Sequence, residues 1–196
     1  MIFKVLALVL ALLGYYLSPY GPVSAESPRN NPGGEQALRG DMYRGMVTRV
    51  ADGDTVTVKT DNGATHKIRL HAVDAPELNQ AGGEQSKRWL TQTVMNQAVK
   101  VLVSNTDRYK RHVAKLLLPG QSCEGALCEG DGDVNLAAIE AGHAWWYREF
   151  ARTQTPADRT LYEQAEQQAR ANKSGLWQGP NPQAPWQWRA DQRRKN

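Results

Sequence analysis

The tightest constraint on this chain is a pair of short alternating segments on either side of a hairpin turn. Thr55-Val56-Thr57-Val58-Lys59-Thr60 repeats with a period of two, Asp61-Asn62-Gly63 follows, and His66-Lys67-Ile68-Arg69-Leu70-His71 alternates again. That period puts Ile68 and Leu70 on one face of a strand and Arg69 and His71 on the other. Asn-Gly supplies the backbone freedom that tight hairpins need. The local pattern therefore predicts an antiparallel meander whose apolar face must be covered. Met46–Val50 before it, and Lys100–Val103 and Val113–Leu118 after it, are further β-prone runs, with a turn at Asp52-Gly53.

Helical periodicity appears in three places. Glu84–Gln97 places Leu90 and Val94 on one face. A second helix begins near Asp133 and stops at Gly142, with Leu136 and Ile139 as its stripe. A third has Thr155 as N-cap and Pro156 in its first turn. Its face is Leu161, Ala165 and Ala169, and it ends before Ser174-Gly175. Five strands, one helix between the third and fourth, and two helices after the fifth predict an α+β fold on a five-stranded OB-type barrel. Apolar residues make up 40% of the chain, enough for one core of this size. The architecture alone leaves function open.

The flanks speak to compartment. Residues 1–25 combine Lys4, an apolar run from Val5 to Leu17 and the small residues Val23-Ser24-Ala25, the pattern of a cleaved secretory signal. The run falls short of the ~20 residues a spanning helix needs, so an uncleaved anchor is the weaker alternative. Residues 26–41 are polar and rich in Pro and Gly, a flexible leader, and 42–178 form the domain. Residues 179–196 are a tail carrying Trp and Arg, with Pro185–Arg189 expected to pack back and Arg193–Lys195 to be solvated. Cys123 and Cys128 flank a short acidic stretch and, in an exported protein, suggest a local disulfide. The expected location is the periplasm or the medium. A formal charge of +4 is compatible with a polyanionic partner without requiring one.

Asp54 follows a tight turn and opens a strand. Asp74 and Glu77 lie in Val73-Asp74-Ala75-Pro76-Glu77, just beyond the strand that carries Arg69. Two carboxylates converging from different strand ends make an oxygen-lined cation site of the kind calcium prefers. Taken singly, each has a plainer explanation. Asp52-Gly53-Asp54 is adequate turn chemistry, and Asp131-Gly132-Asp133 repeats the same letters where a turn and a helix N-cap suffice. His66, His71, His112 and His143 lack the spacing of a zinc hydrolase. Trp145 and Trp146 read as packing between the barrel and the last helix, whereas Tyr147 has the character of a base-stacking residue.

Several ordered blocks change the balance. Val50–Val56 followed by Ile68–Glu77, then Thr106-Asp107-Arg108-Tyr109-Lys110-Arg111-His112-Val113-Ala114, resemble the signature of the staphylococcal nuclease family. Val134-Asn135-Leu136 through Gly142-His143-Ala144, and Lys173-Ser174-Gly175-Leu176-Trp177, resemble its later landmarks. The resemblance runs from about Gly45 to Trp177. It implies a Ca2+-dependent, sugar-nonspecific nuclease that cleaves DNA and RNA to 3′-phosphate products. Asp54 and Asp74 would hold the ion through carboxylates and Ala75 through its carbonyl, where many relatives have threonine. Glu77 would activate the attacking water, Arg69 and Arg111 would grip the scissile phosphate, and Tyr109 would lie near the nucleotide. Lys110 stands where the family usually has glycine. The expected partner is nucleic acid, with the mature protein a monomer without stable membrane association. The alternatives are a catalytically silent OB-type module binding nucleic acid or protein, and a hydrolase of some other anionic ester.

Overall fold

The computed structural model describes residues 41–120 and 132–195. The expected signal, most of the leader, and Cys123 and Cys128 lie outside the described residues. The chain runs through β1 (Met42–Val50), β2 (Thr55–Thr60), β3 (Thr65–Leu70), β4 (Val73–Asp74), α1 (Gly83–Val94), β5 (Ala98–Thr106) and β6 (His112–Leu118). It continues through β7 (Gly132–Asp133), α2 (Val134–Glu140), β8 (Trp145–Trp146), α3 (Pro156–Ala171) and α4 (Pro185–Lys195), with 3-10 turns at Arg148–Thr153 and Gly175–Gln178.

Hydrogen bonding orders the main sheet β3-β2-β1-β5-β6-β7, and β3 also pairs with β6 in parallel, from Ile68 opposite His112 to Leu70 opposite Ala114. The extra pairing closes five strands into the expected OB-type barrel. Two long strands make closure possible because each carries an irregularity, between Val47 and Arg49 in β1 and between Val103 and Asn105 in β5. An extra residue on one strand bends it and increases its twist. Inward positions are β-branched or Leu: Val47, Val56, Val58, Ile68, Val101 and Leu116 are completely buried. Each such side chain contributes roughly 2 kcal/mol of burial free energy. Leu90 and Val94 of α1 enter the same core, as their i, i+4 spacing requires.

Four local expectations need correction. On α3 it is Tyr162, not Leu161, that faces inward, and Leu161 is exposed. Tyr162, Ala165 and Ala169 share a face as readily as Leu161, Ala165 and Ala169 do, and the tyrosine hydroxyl donates to Asp133 Oδ2 at 3.0 Å. The larger side chain with a satisfied polar tip wins that choice. On α2 the buried residues are Val134, Asn135, Ala138 and Ile139, and Leu136 sits at the rim. Helix α1 stops at Val94 because Asn96 takes a positive φ of 60° and its N–H bonds Val47 O. His71, which alternation places outward, is buried beneath the 3-10 turn, where its Nε2 meets Thr153 Oγ1 at 2.8 Å.

Elsewhere the local chemistry behaves as expected. Asp133 caps α2, accepting from Asn135 N and Leu136 N, and Thr155 caps α3 by accepting from Asp158 N. Trp145 and Trp146 are buried. Trp145 packs edge-on against Trp177, and Trp146 Nε1 donates to Gln154 Oε1 at 2.8 Å.

Candidate active site

The turn between β1 and β2 sets Asp54 with its backbone in the barrel and its carboxylate outside it. Leu70 N donates to Asp54 O at 2.8 Å. The side chain accepts from Thr55 Oγ1 at 3.1 Å and from Ala75 N at 2.9 Å. Gly53 lets this turn lie close to its neighbours, since a Cβ there would stand 2.6 Å from Ala75 Cβ and 2.7 Å from Ser86 Cβ. Asp52 bonds Asp54 N through its own carboxylate. Burial, and then the charge of Asp54, push the Asp52 carboxyl up to about 6.

Arg69 leaves β3 on the outer face and is fixed through both terminal nitrogens of its guanidinium. Its Nη1 donates to Leu70 O and Val73 O at 2.9 and 2.8 Å. Its Nη2 lies between Asp54 Oδ2 at 3.2 Å and Asp74 Oδ1 at 2.9 Å. One nitrogen thus touches both aspartates, so their oxygens converge on a common point. Asp74 reaches that point because Ala72, at a φ of 58°, turns the chain sharply out of β3. The short β4–β8 ladder then pins it, with Asp74 opposite Trp145. Asp74 is wholly buried; burial raises its pKa against the pull of Arg189 and Arg69.

Glu77 follows in a loop tied by Gln80, whose N–H donates to Glu77 O at 2.8 Å while its Oε1 accepts from Glu77 N at 3.2 Å. Gly83, the first residue of α1, passes so near that a Cβ would clash with the Glu77 carbonyl oxygen.

Arg111 arrives from the turn between β5 and β6. Asp107 Oδ1 accepts from Tyr109 N and Arg111 N, both at 2.9 Å, and Asp107 Oδ2 takes Arg111 Nε at 2.8 Å. Burial acts upward on Asp107, but these bonds outweigh it and hold its carboxyl below the usual range. Lys110 adopts a φ of 61°, the left-handed conformation expected where glycine is usual. The turn keeps its form, with Lys110 N donating to Asp107 O at 2.9 Å. Tyr109 is exposed, and the guanidiniums of Arg108 and Arg111 lie 4.9 and 5.5 Å from its ring centroid.

All of the residues expected at the site, Asp54, Arg69, Asp74, Ala75, Glu77, Tyr109, Arg111 and Tyr147, line one open cleft of about 440 Å³. Tyr147 has one face covered, because Trp186 stacks on it at 5.2 Å with an interplanar angle of 11°. That contact replaces the expected availability for a base on this side. Five further charged residues line the cleft without a role assigned from sequence: Asp52, Asp107, Arg108, Arg189 and Arg193. Arg189 projects from α4 onto the carboxylates. Its Nη2 meets Asp74 Oδ2 at 2.8 Å, and its Nη1 meets Asp74 Oδ1 at 3.1 Å and Glu77 Oε1 at 2.9 Å.

The donor set suits a hard divalent cation. Asp54 and Asp74 present carboxylate oxygens that already share one positively charged nitrogen, and such oxygens are calcium-type ligands. Among the described residues no three acidic, His or Cys side chains are grouped as a ready-made metal cage. The third carboxylate, Glu77, is engaged by Arg189.

Residues 67–179 match the family described as staphylococcal nuclease homologue. The chain is 37% identical over 147 residues to the micrococcal nuclease of Shigella flexneri, covering 75% of this chain and 80% of that protein. It is 35% identical over 148 residues to protein ParB of Escherichia coli, covering 76% and 80%. An uncharacterized endonuclease of Haemophilus influenzae is 33% identical over 147 residues, covering 75% and 73%. With barrel, motif order and relatives in agreement, this chain belongs to the staphylococcal nuclease homologue family.

Proposed function

We propose that this protein is an exported nuclease that hydrolyses phosphodiester bonds of DNA and RNA, without sugar preference, using calcium and leaving 3′-phosphate ends. The observation that carries this reading is the meeting of Asp54, Asp74, Glu77, Arg69 and Arg111 in one cleft. Relatives named as nucleases support it.

Asp54 and Asp74 would hold the ion through carboxylates, with the Ala75 carbonyl beside them. Bound there, a calcium ion supplies positive charge to the phosphate oxygens that gain charge during attack. Arg69 comes from β3 and Arg111 from the turn between β5 and β6, and both bring planar guanidiniums, whose paired N–H groups match phosphate oxygens and stay charged. Preorganised charge at the point where negative charge develops is the largest lever available to such a site. Glu77 is the carboxylate able to accept a proton from water. Neither arginine releases a proton readily, so the leaving oxygen takes its proton from solvent.

The test is cleavage of labelled single- and double-stranded DNA and RNA across a calcium titration, with Glu77→Gln in parallel. Expected are calcium-dependent cleavage, its loss in excess chelator, and a Glu77→Gln variant that loses turnover while still binding substrate. Full activity in excess chelator overturns the mechanism.

A further inference from the structure

Asp74 has both carboxylate oxygens engaged by guanidinium groups. Arg189 takes Oδ2 and shares Oδ1 with Arg69, then extends to Glu77 Oε1. Arg189 is therefore a positive charge bridging two neighbouring carboxylates of the Val73–Glu77 segment, as a divalent ion in that cleft would. The two arginines face three carboxylates, Asp54, Asp74 and Glu77, which leaves the cluster one negative charge in excess. A cation that draws on an Asp74 oxygen meets Arg189 already bonded to both.

The helix that carries Arg189 has its own moorings. Ala184 is buried with Trp145, Ala169 and Trp177, Trp186 stacks on Tyr147, and Gln183 O accepts from Gln80 Nε2 at 2.7 Å. Beyond Trp186 its outer residues, Arg193, Arg194 and Lys195, are exposed. Helix α4 is thus anchored at its first turn and reaches the site through Arg189 in its second.

We propose that Arg189 is a further residue of the active site: an internal competitor that sets the affinity of Asp54 and Asp74 for their divalent cation, making α4 a latch that the cation releases. This rests on the reading of those aspartates as cation ligands. Without the ion, Arg189 neutralises a buried carboxylate that is costly to leave unpaired. When the ion enters, Arg189 leaves Asp74 and Glu77, and the turn of α4 beyond Trp186 loosens. Removal of the Arg189 side chain destabilises the ion-free protein alone, so the variant must bind the ion more tightly.

The experiment is calcium titration by calorimetry on full-length wild type, Arg189→Ala and Arg189→Lys, with hydrogen exchange of residues 185–195 with and without calcium. Expected is binding roughly tenfold or more tighter in Arg189→Ala, with Arg189→Lys in between because lysine keeps the charge but loses the paired fork. In wild type, exchange across 185–195 should quicken on saturation with calcium. Calcium affinity in Arg189→Ala within twofold of wild type, or exchange in wild type indifferent to calcium, overturns the latch. Cleavage is read separately. Calcium-dependent cleavage with no change in affinity leaves the nuclease standing and removes the latch. Tighter binding in Arg189→Ala without cleavage of any nucleic acid does the reverse. No calcium binding by any of the three proteins overturns both.

Discussion

Asp107 binds Arg111 twice, through the backbone N–H at 2.9 Å and the side-chain Nε at 2.8 Å, and so fixes the direction in which that guanidinium enters the cleft. The Nε bond leaves the outer nitrogens of Arg111 unclaimed by Asp107, and those are the ones suited to a phosphate. Asp107→Ala should lower kcat/KM on DNA by about tenfold to a hundredfold, since a misaimed charge forfeits its stabilisation of the transition state. Asp107→Asn keeps an acceptor for the backbone N–H groups and should lose less. Steady-state kinetics of the two variants, alongside their melting temperatures, separate aim from stability: equal losses in both would mean that the ion pair alone sets the aim, and no loss in either would mean that the ion pair is idle.

Lys110 sits at a φ of 61°, a conformation that costs a side-chain-bearing residue roughly 1 kcal/mol relative to glycine. Lys110→Gly should therefore raise unfolding free energy by up to about 1 kcal/mol, less whatever glycine gains in the unfolded chain. Urea unfolding measures this directly. A destabilised Lys110→Gly would mean that lysine contributes something beyond tolerating the turn.

Two close approaches hold the carboxylates in place. A Cβ on Gly53 would press on Ala75 and Ser86, and one on Gly83 would meet the backbone of Glu77 and Leu78. Both walls belong to buried or backbone atoms, so the new methyl cannot be absorbed by a moving side-chain end. Gly53→Ala should displace Asp54 from Ala75, and Gly83→Ala should displace Glu77. Each is expected to cost about 1–3 kcal/mol of stability, the range for overpacking, together with most of the activity. Gly63→Ala is the comparison: nothing lies near its Cβ. It should lose a little stability through its φ of 85° and keep its activity, read from cleavage rates on folded protein.

The barrel and five of the charged residues of the cleft are legible because local order encodes them. The period-two runs around Asp61-Asn62-Gly63 define a face, and Leu90 with Val94 define another. Asp54, Arg69, Asp74, Glu77 and Arg111 sit in motifs at fixed separations. Asp107 carried a usable signal, an aspartate whose side chain can bond backbone N–H groups a few residues on, yet a turn residue and an arginine-positioning residue look alike in sequence. Arg189 carries only the expectation that Pro185–Arg189 packs back, with nothing to direct its side chain to the carboxylates. It lies 115 residues from Asp74, on a helix without an apolar stripe that would foretell its orientation. Sequence favours Leu161 over Tyr162 because hydrophobicity ranks leucine first, whereas burial here is decided by a hydroxyl that finds Asp133.

His71 gives a pH dependence with a definite sign. Burial, then the positive charges of Lys115 and Arg69, lower its pKa from 6.5 to about 4, against the opposing pull of Asp158. A histidine that resists protonation only when folded binds more protons when unfolded. Its contribution is therefore present above about pH 6.5 and is lost as the pH falls toward 4. Between pH 7 and pH 5 the loss should be about 2 kcal/mol. Asp52, pushed up to about 6, acts in the opposite sense, adding stability at low pH and losing it as the pH rises through that value. Wild type alone would mix the two, so the measurement is the difference between wild type and His71→Gln in urea unfolding at both pH values, in chelator. Glutamine cannot take up a proton and retains a partner for Thr153 Oγ1. The gap between the proteins should narrow toward pH 5 by that amount, and a gap that stays constant would mean that His71 titrates alike in the folded and unfolded chains.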